Sequence, residues 1–215
     1  TFYYRHGSAA SYLSPADLDP AYFRGARVLH LTGITPALSD GCRAATYRAI
    51  ELARQEGVLI SFDPNIRLKL WTPEEARPVL LDLAARADVV LPGRSECSIL
   101  WGTDDEAAAA SACLEAGARV VAVKLGTEGA YVRTRAEEVR VPAVPVGRVV
   151  DPVGAGDGFA AGFLVGQMEG WSAAESARLA CTVGAFATAT PGDVEGYPTM
   201  AQVRAFWSGQ TARER

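Results

Sequence analysis

Two repeating patterns of apolar and polar residues run along this chain. Short apolar runs rich in β-branched and leucine side chains are typical of buried strands. Longer stretches with apolar residues three and four positions apart are typical of amphipathic helices. The patterns predict strands over residues 28–31, 58–62, 88–91, 119–124 and 148–150, and helices over residues 39–56, 95–101, 104–116, 155–169, 172–190 and 199–208, with one further helix opening at Thr72.

The order of these elements predicts the fold class. Strands and helices alternate over most of the chain, which is typical of a parallel sheet covered by helices. Residues 130–150 instead combine short strand patterns with prolines, as expected at the edge of a sheet. We therefore predict a single α/β domain over residues 1–215, with a mainly parallel central sheet.

Composition and charge narrow the classes of function. Hydrophobic residues make up 49% and charged residues 21% of the 215 residues, as in ordinary folded domains. The net charge of −4 argues against a broad nucleic-acid surface, and no apolar run is long enough to span a membrane. The 4 cysteines are scattered without a C-x-x-C pair, which predicts buried reduced thiols in a cytoplasmic protein.

The candidate chemistry lies in the run DPVGAGDGF, residues 151–159, which follows the predicted strand 148–150 and opens a predicted helix. Glycines let the backbone approach a ligand closely. The first amides of a helix have no partner within it, and the helix dipole adds positive potential, so the run suits a phosphoryl group. Asp157 would stand beside these amides, where a carboxylate can take the proton of an attacking hydroxyl.

A purely structural role explains the same run, because a glycine-rich turn can be followed by an aspartate that caps the helix. The spacing alone does not decide between the two roles. The chain has neither a Walker loop ending in Gly-Lys-Ser/Thr nor a G-x-G-x-x-G run after its first strand, which disfavours the common nucleotide-binding folds.

The longer run DPVGAGDGFAAGF resembles the C-terminal signature of the ribokinase-like (PfkB) carbohydrate kinases, D-T-x-G-A-G-D-x-F, with Pro152 in place of the usual Thr. The run VKLGTEG, residues 123–129, resembles the nucleotide-binding L-G-x-x-G turn of that family. The run PGRSE, residues 92–96, resembles its N-x-x-E motif, with Gly93 in place of the Asn. These stretches follow the family's order through nearly the whole chain.

The resemblance implies a ribokinase-like three-layer fold and ATP and Mg²⁺ as cofactors. It leaves open whether the protein also requires a monovalent cation. It implies that Asp157 is the catalytic base and that Gly154, Ala155 and Gly156 belong to the catalytic segment. The amides of Ala155, Gly156 and Asp157 would receive the developing charge. Glu96 would order the magnesium ion through water, and Asp151 would tether the motif. The nucleotide-binding residues implied in the same way are Asn65, Lys124, Gly126, Gly129 and Cys181, the last standing where many members carry Asn.

The chain begins at Thr1, without Met, directly on the strand-like run Phe2-Tyr3-Tyr4-Arg5. A strand so close to the terminus needs neighbours. The resemblance implies an upstream part that carries a sugar-binding signature and much of the lid, so we expect such a segment and a lid that is mostly missing here. Family members often form homo-oligomers through that lid, and we expect the same of this protein.

Two stretches bear on the substrate. Arg67 follows a predicted strand in DPNIRLKLW, and Arg5 lies two residues from Tyr3, on the same face of a strand. Arginine is suited to a planar carboxylate, so converging arginines favour an acidic sugar. Neither arginine needs a substrate to explain its presence. Arg5 can be an exposed charge on an edge strand, and Arg67 can form an ion pair with Asp63 within the loop.

The runs FYYRHGSAAS and DPNIRLKLW together resemble the family members that phosphorylate 2-keto-3-deoxygluconate. This resemblance implies a sugar-acid site lined by Tyr3, Arg5, Ile34 and Arg67, with Asp193 as either a hydroxyl ligand or a simple turn residue. The predicted reaction is ATP-dependent phosphorylation of a terminal hydroxyl, giving 2-keto-3-deoxy-6-phosphogluconate. A fructokinase or other neutral-sugar kinase is the alternative within the family, because DPN-x-R also occurs in fructokinase-like members. A non-catalytic nucleotide or sugar sensor is the alternative of another class.

Overall fold

The computed structural model describes Arg5 and residues 7–209 of the chain, and its elements follow the predicted order. The strands are β1 (Val28–Thr32), β2 (Leu59–Asp63), β3 (Val89–Val90), β4 (Val120–Lys124), β5 (Ala130–Thr134) and β6 (Glu138–Val141). The helices are α1 (Ile34–Leu38), α2 (Asp40–Gln55), α3 (Pro73–Arg86), α4 (Arg94–Trp101), α5 (Glu106–Ala116), α6 (Ala155–Met168), α7 (Ala173–Thr188) and α8 (Met200–Trp207). Short 3₁₀ helices cover Ala9–Tyr12, Pro15–Asp17, Pro20–Phe23 and Gly126–Glu128.

The strands form one sheet in which the spatial order matches the order along the chain. β1 pairs with β2, β2 with β3, and β3 with β4, all in parallel. Thr32 lies opposite Asp63 at the carboxyl ends of β1 and β2. The predicted α/β class and mainly parallel sheet are confirmed, and the loops after β1 and β2 leave the sheet at the edge where such folds bind ligands.

Contacts between Cα atoms group the chain into two compact units. The first unit contains Thr1–Val123 and Arg133–Glu137, and the second unit contains Lys124–Val132 and Glu138–Arg215. The single domain over residues 1–215 stays a prediction.

The first unit is built on buried parallel strands covered by amphipathic helices. Residues 60–63 of β2 are all buried, as expected for a strand covered on both faces. Helix α2 buries residues at the spacing of one helical face, and Ser39 caps its first turn by accepting from the Cys42 amide at 3.1 Å. The buried carboxylate of Asp88 pairs with Arg54 at 3.0 Å and accepts from the Ile60 amide at 2.9 Å, which ties β2 to β3 at their amino ends.

The second unit is built around the close packing of α6 on α7. A Cβ atom on Gly162 or Gly166 would collide with the backbone of Ala180 or the side chain of Ser176, so only glycine permits this approach. Helix α8 adds Val203 to a cluster with Leu179 and Val183, against which Tyr197 and Trp207 pack.

The structure corrects one predicted strand and adds one helix. Residues 148–150 form no strand, because the Val150 amide donates instead to the Thr188 carbonyl at the end of α7, at 2.7 Å, and the Val149 side chain is 58% exposed. The short helix α1 was not predicted, since five residues that include Pro36 show little periodicity. The strand proposed for residues 2–5 lies outside the described residues except for Arg5. Among the described helices, none combines the length and the apolar character needed to cross a membrane.

Candidate active site

The glycine-rich loop of the second unit runs from Asp151 to the start of α6. The Asp151 carboxylate accepts from the Val153 amide at 3.0 Å, and the Asp151 amide donates to the Thr188 carbonyl at 3.2 Å. The side chain that was expected to tether the motif therefore closes a turn at its beginning. The bond from the Asp151 amide, with that from the Val150 amide to the same carbonyl, joins this loop to the end of α7.

Gly154 is the residue at which this loop turns into helix α6. Its φ is 77°, in the left-handed region that favours glycine, and it precedes α6 without any side-chain cap. A Cβ atom at this position would also collide with the carbonyl oxygen of Asp193. Glycine is needed here both for the backbone conformation and for the close approach of the loop over residues 192–197.

The first turn of α6 carries the candidate anion site. The Gly158 amide donates to the Gly154 carbonyl at 2.8 Å, which is the first helical hydrogen bond, and the Ala155 amide makes a long 3.4 Å bond to Pro152. The amides of Gly156 and Asp157 lie in the first turn, where the helix itself supplies no acceptor. Both residues are exposed, so an anion can reach this turn.

Two acidic side chains beside this turn, Asp157 and Asp193, lie close enough to Tyr197 to raise the pKa of its phenol. Asp157 lies in the first turn of α6, and both Asp157 and Asp193 are exposed. The pKa of Tyr197 is raised, first by burial of the phenol and then by the negative charges of Asp157 and Asp193. The structure therefore brings the proposed base, the amide turn and Asp193 together in the second unit.

The segment over residues 124–129 forms the expected tight turn. Lys124 ends β4, and the Leu125 amide donates to the Gly129 carbonyl at 2.9 Å. Gly126 and Gly129 have φ values of 60° and 98°, and a Cβ atom on Gly129 would collide with the Val141 carbonyl. Cys181 is buried in α7, and this burial raises the pKa of its thiol to about 11.

The loop after β2 carries the candidate residues of the first unit. Asp63 is buried, and its Oδ1 accepts from the Asn65 amide at 3.2 Å. Asn65 has a φ of 39°, which is uncommon for a residue other than glycine. The Gly33 amide donates to the Asp63 carbonyl at 3.0 Å, and a Cβ atom on Gly33 would collide with the Pro64 carbonyl. Ile34, at the start of α1, therefore lies next to this loop.

Glu96 joins the same loop to helix α4. One carboxylate oxygen accepts from the Gly93 amide at 2.7 Å and caps α4, whose N-cap glycine has no side chain to do so. The other oxygen accepts from the Ile66 amide, also at 2.7 Å, across 30 positions of sequence. The sequence analysis predicted neither bond; the first joins residues three positions apart, whereas the second joins distant parts of the chain.

Of the predicted sugar-site residues, Arg67 is exposed two residues beyond Asn65, and Arg5 is half-buried. Tyr3 lies outside the described residues. Over the described part of the chain, no three His, Cys, Asp or Glu side chains lie close enough together to hold a metal ion. Magnesium commonly keeps several waters and few protein ligands, so a single carboxylate such as Glu96 suits an ion held through water.

A family comparison bears on this arrangement of a glycine-rich turn, an exposed aspartate and a Gly-x-x-Gly turn. The model of the pfkB family carbohydrate kinases matches residues 1–200. The chain belongs to this family. The motifs that carried the resemblance, at residues 92–96, 123–129 and 151–159, all lie within the match.

Curated relatives of the chain include 2-dehydro-3-deoxygluconokinases and a fructokinase. The chain is 43% identical over 210 residues to a 2-dehydro-3-deoxygluconokinase from Bacillus subtilis, covering 97% of this chain and 64% of that protein. It is 36% identical to a 2-dehydro-3-deoxygluconokinase from Thermoproteus tenax, covering 92% of this chain and 60% of that protein. It is 31% identical to fructokinase-2 from Solanum lycopersicum, covering 96% and 65%. The chain thus spans less than two thirds of the length of these relatives.

Solved structures of similar proteins share the fold. A PfkB protein from Polaromonas sp. JS666 superposes with a TM-score of 0.84 at 41% identity, covering 95% of this chain and 65% of that one. A protein from E. coli described as ribokinase II, in complex with ATP and Mg²⁺, superposes with a TM-score of 0.85 at 28% identity, covering 92% and 63%. The predicted ribokinase-like α/β fold is confirmed.

Proposed function

We propose that the protein to which this chain belongs transfers the γ-phosphoryl group of ATP to the terminal hydroxyl of a sugar acid. The observation that carries the proposal is the exposed Asp157 in the first turn of α6, directly after the left-handed Gly154. An aspartate beside an accessible amide turn can accept the proton of a hydroxyl that attacks phosphorus. The amides of Gly156 and Asp157 can then stabilise the charge that develops on the phosphoryl group.

The nucleotide is proposed to bind at the turn over residues 124–129 and near Cys181, with Asn65 also in contact. Support comes from the glycine conformations of Gly126 and Gly129, which bring backbone close to a ligand, and from the E. coli relative in complex with ATP and Mg²⁺. Glu96 would hold magnesium through water, since both of its oxygens already accept a backbone amide. Bound magnesium would neutralise charge on the phosphates.

The substrate is proposed to be 2-keto-3-deoxygluconate, converted to 2-keto-3-deoxy-6-phosphogluconate. Arg67 and Arg5 would bind its carboxylate, while Ile34 and Asp193 would complete the sugar site with Tyr3. The identities of 43% and 36% to two 2-dehydro-3-deoxygluconokinases support this choice. The 31% identity to a tomato fructokinase keeps a neutral sugar as the second candidate. Cytoplasmic location and homo-oligomer formation stay predictions.

A substrate panel tests the proposal on the natural full-length protein. ADP release is measured with 2-keto-3-deoxygluconate, fructose and ribose, each with ATP and Mg²⁺. We expect kcat/KM to be highest for the sugar acid by at least about tenfold, since each tenfold step in this ratio is ~1.4 kcal/mol of transition-state binding. A higher kcat/KM for fructose would contradict the sugar-acid proposal and favour a neutral-sugar kinase. Binding of ATP without turnover of any sugar would favour the sensor.

A further inference from the structure

Tyr197 stands between the core of the second unit and the first turn of α6. Its hydroxyl donates to the Gly154 carbonyl at 2.8 Å, across 43 positions of sequence. We propose that Tyr197 is a positioning residue that fixes the amide turn in front of Asp157. This role deepens the proposed kinase function and rests on it for its catalytic consequence.

The bond orients one particular peptide unit. The carbonyl of Gly154 and the amide N–H of Ala155 belong to the same planar peptide group, so fixing one direction fixes the other. The same carbonyl accepts the first helical bond of α6, from the Gly158 amide at 2.8 Å. Two donors on one carbonyl thus set both the direction of the Ala155 amide and the start of the helix that carries Asp157.

The aromatic ring gives this hydroxyl a rigid base. Tyr197 packs against the buried cluster of Leu179, Val183 and Val203. The ring also lies against the first turn of α6, where a Cβ atom on Gly158 would stand 3.0 Å from Cε1 of the ring. A phenol held between a core cluster and a helix backbone loses little further freedom when its hydroxyl bonds.

The loop that carries Tyr197 is itself well defined. The Val194 amide donates to the Glu195 carboxylate at 3.0 Å, and the Tyr197 amide donates to the Val194 carbonyl at 3.1 Å. The Asp193 carbonyl lies directly against Gly154. Residues 192–197 therefore meet the glycine-rich loop through a side-chain contact, the Tyr197 hydroxyl, and a backbone contact, the Asp193 carbonyl.

The variant Tyr197→Phe tests the proposal, with Tyr131→Phe as its matched control in the natural full-length protein. Tyr131 is a buried tyrosine of the same unit, and its hydroxyl donates to the Glu138 carboxylate at 2.9 Å. Each variant removes one hydroxyl and one hydrogen bond. We expect Tyr197→Phe to lower kcat about tenfold with both KM values nearly unchanged, as for an interaction made in the transition state. We expect Tyr131→Phe to leave kcat unchanged.

Amide hydrogen exchange provides a second readout that needs no substrate. In Tyr197→Phe, peptides covering residues 153–159 should exchange faster while those covering α7 keep their rates; Tyr131→Phe should change neither. Faster exchange throughout the second unit, or equal losses of kcat in the two variants, would mean general destabilisation and would overturn the positioning role. Unchanged kcat and unchanged exchange in Tyr197→Phe would also overturn it. If the wild-type protein turns over no sugar, the kinase proposal fails and the exchange result alone decides the role of Tyr197.

Discussion

In the first unit, the loop after β2 is held by carboxylates, whereas in the second unit the loop before α6 is held by a glycine conformation and a phenol hydroxyl. Asp63 and Glu96 accept the amides of Asn65 and Ile66, at 3.2 and 2.7 Å. In the second unit, Gly154 adopts a φ of 77° against the Asp193 carbonyl, and Tyr197 donates to Gly154 at 2.8 Å.

The two arrangements respond to different changes. Hydrogen bonds to a carboxylate are charge-assisted and depend on the charge of the acceptor. A left-handed glycine in close contact depends on the absence of a side chain. We therefore expect the first loop to be sensitive to charge removal and the second to added volume. The two loops also differ in their proposed tasks, which are binding of the sugar acid and phosphoryl transfer.

The largest expected effect is that of Asp157→Asn on turnover. Removing a general base should lower kcat by about 10²–10⁴-fold, while the dissociation constant of ATP should stay the same, because the amide turn is retained. Stopped-flow or coupled measurement of ADP release, with ATP binding measured by calorimetry, checks both quantities. Asp40→Asn, at a fully exposed aspartate of α2, is the control and should change neither. Near-normal turnover in Asp157→Asn would remove the base from the mechanism.

The next effect is that of Arg67→Ala on the KM of the sugar acid. Loss of a guanidinium from a carboxylate should raise this KM about ten- to a hundredfold, since each tenfold step is ~1.4 kcal/mol, with the KM of ATP unchanged. Lys69→Ala removes an exposed cation from the same loop and should have little effect. Equal changes in both KM values, or equal effects of the two variants, would place Arg67 outside the sugar site.

The third effect compares Gly154→Ala with Gly170→Ala. Both glycines have a left-handed backbone, with φ of 77° and 73°, but a Cβ atom on Gly170 would meet open space. Backbone strain should lower the free energy of unfolding of each variant by about 1–2 kcal/mol. The collision with Asp193 should lower that of Gly154→Ala by about 1–3 kcal/mol more. Urea unfolding measures the difference. Equal losses would show that the close contact with Asp193 contributes nothing to stability.

The smallest effect expected is that of Glu96→Gln, with Glu75→Gln as control. Both residues accept the amide of the N-cap residue of their helix, Thr72 for Glu75 and Gly93 for Glu96, but Glu96 also accepts an amide from another loop. Charge-assisted hydrogen bonds contribute about 1.5–3 kcal/mol, and Gln keeps one acceptor oxygen. Glu96→Gln should therefore lower the free energy of unfolding by less than the full value of these bonds. Hydrogen exchange should rise in peptides around residue 66 in Glu96→Gln alone. The same rise in Glu75→Gln would mean that the cross-loop bond is not what holds the loop.

Local sequence signals were sufficient for most helix and strand positions. Ser39 and Thr72 cap the helices that they were expected to open, and Gly57 follows the end of α2 with a φ of 68°. These signals act through hydrogen bonds and dihedral angles within a few residues. The strand predicted for residues 148–150 was wrong. An apolar run forms a strand only when another strand is available to pair with its backbone amides and carbonyls.

The sequence by itself determined the α/β class, the family, and the positions of the glycine-rich turns, because those depend on periodicity and on residues adjacent in the chain. Tertiary structure alone decided that Glu96 accepts the Ile66 amide and that Tyr197 donates to Gly154, contacts that span 30 and 43 positions. Such pairs leave no periodic trace, since a side chain reaches a distant backbone only after the core has set the path between them. The residues that hold the candidate site in place were therefore found in the fold, while the residues proposed to carry its chemistry were readable in the sequence.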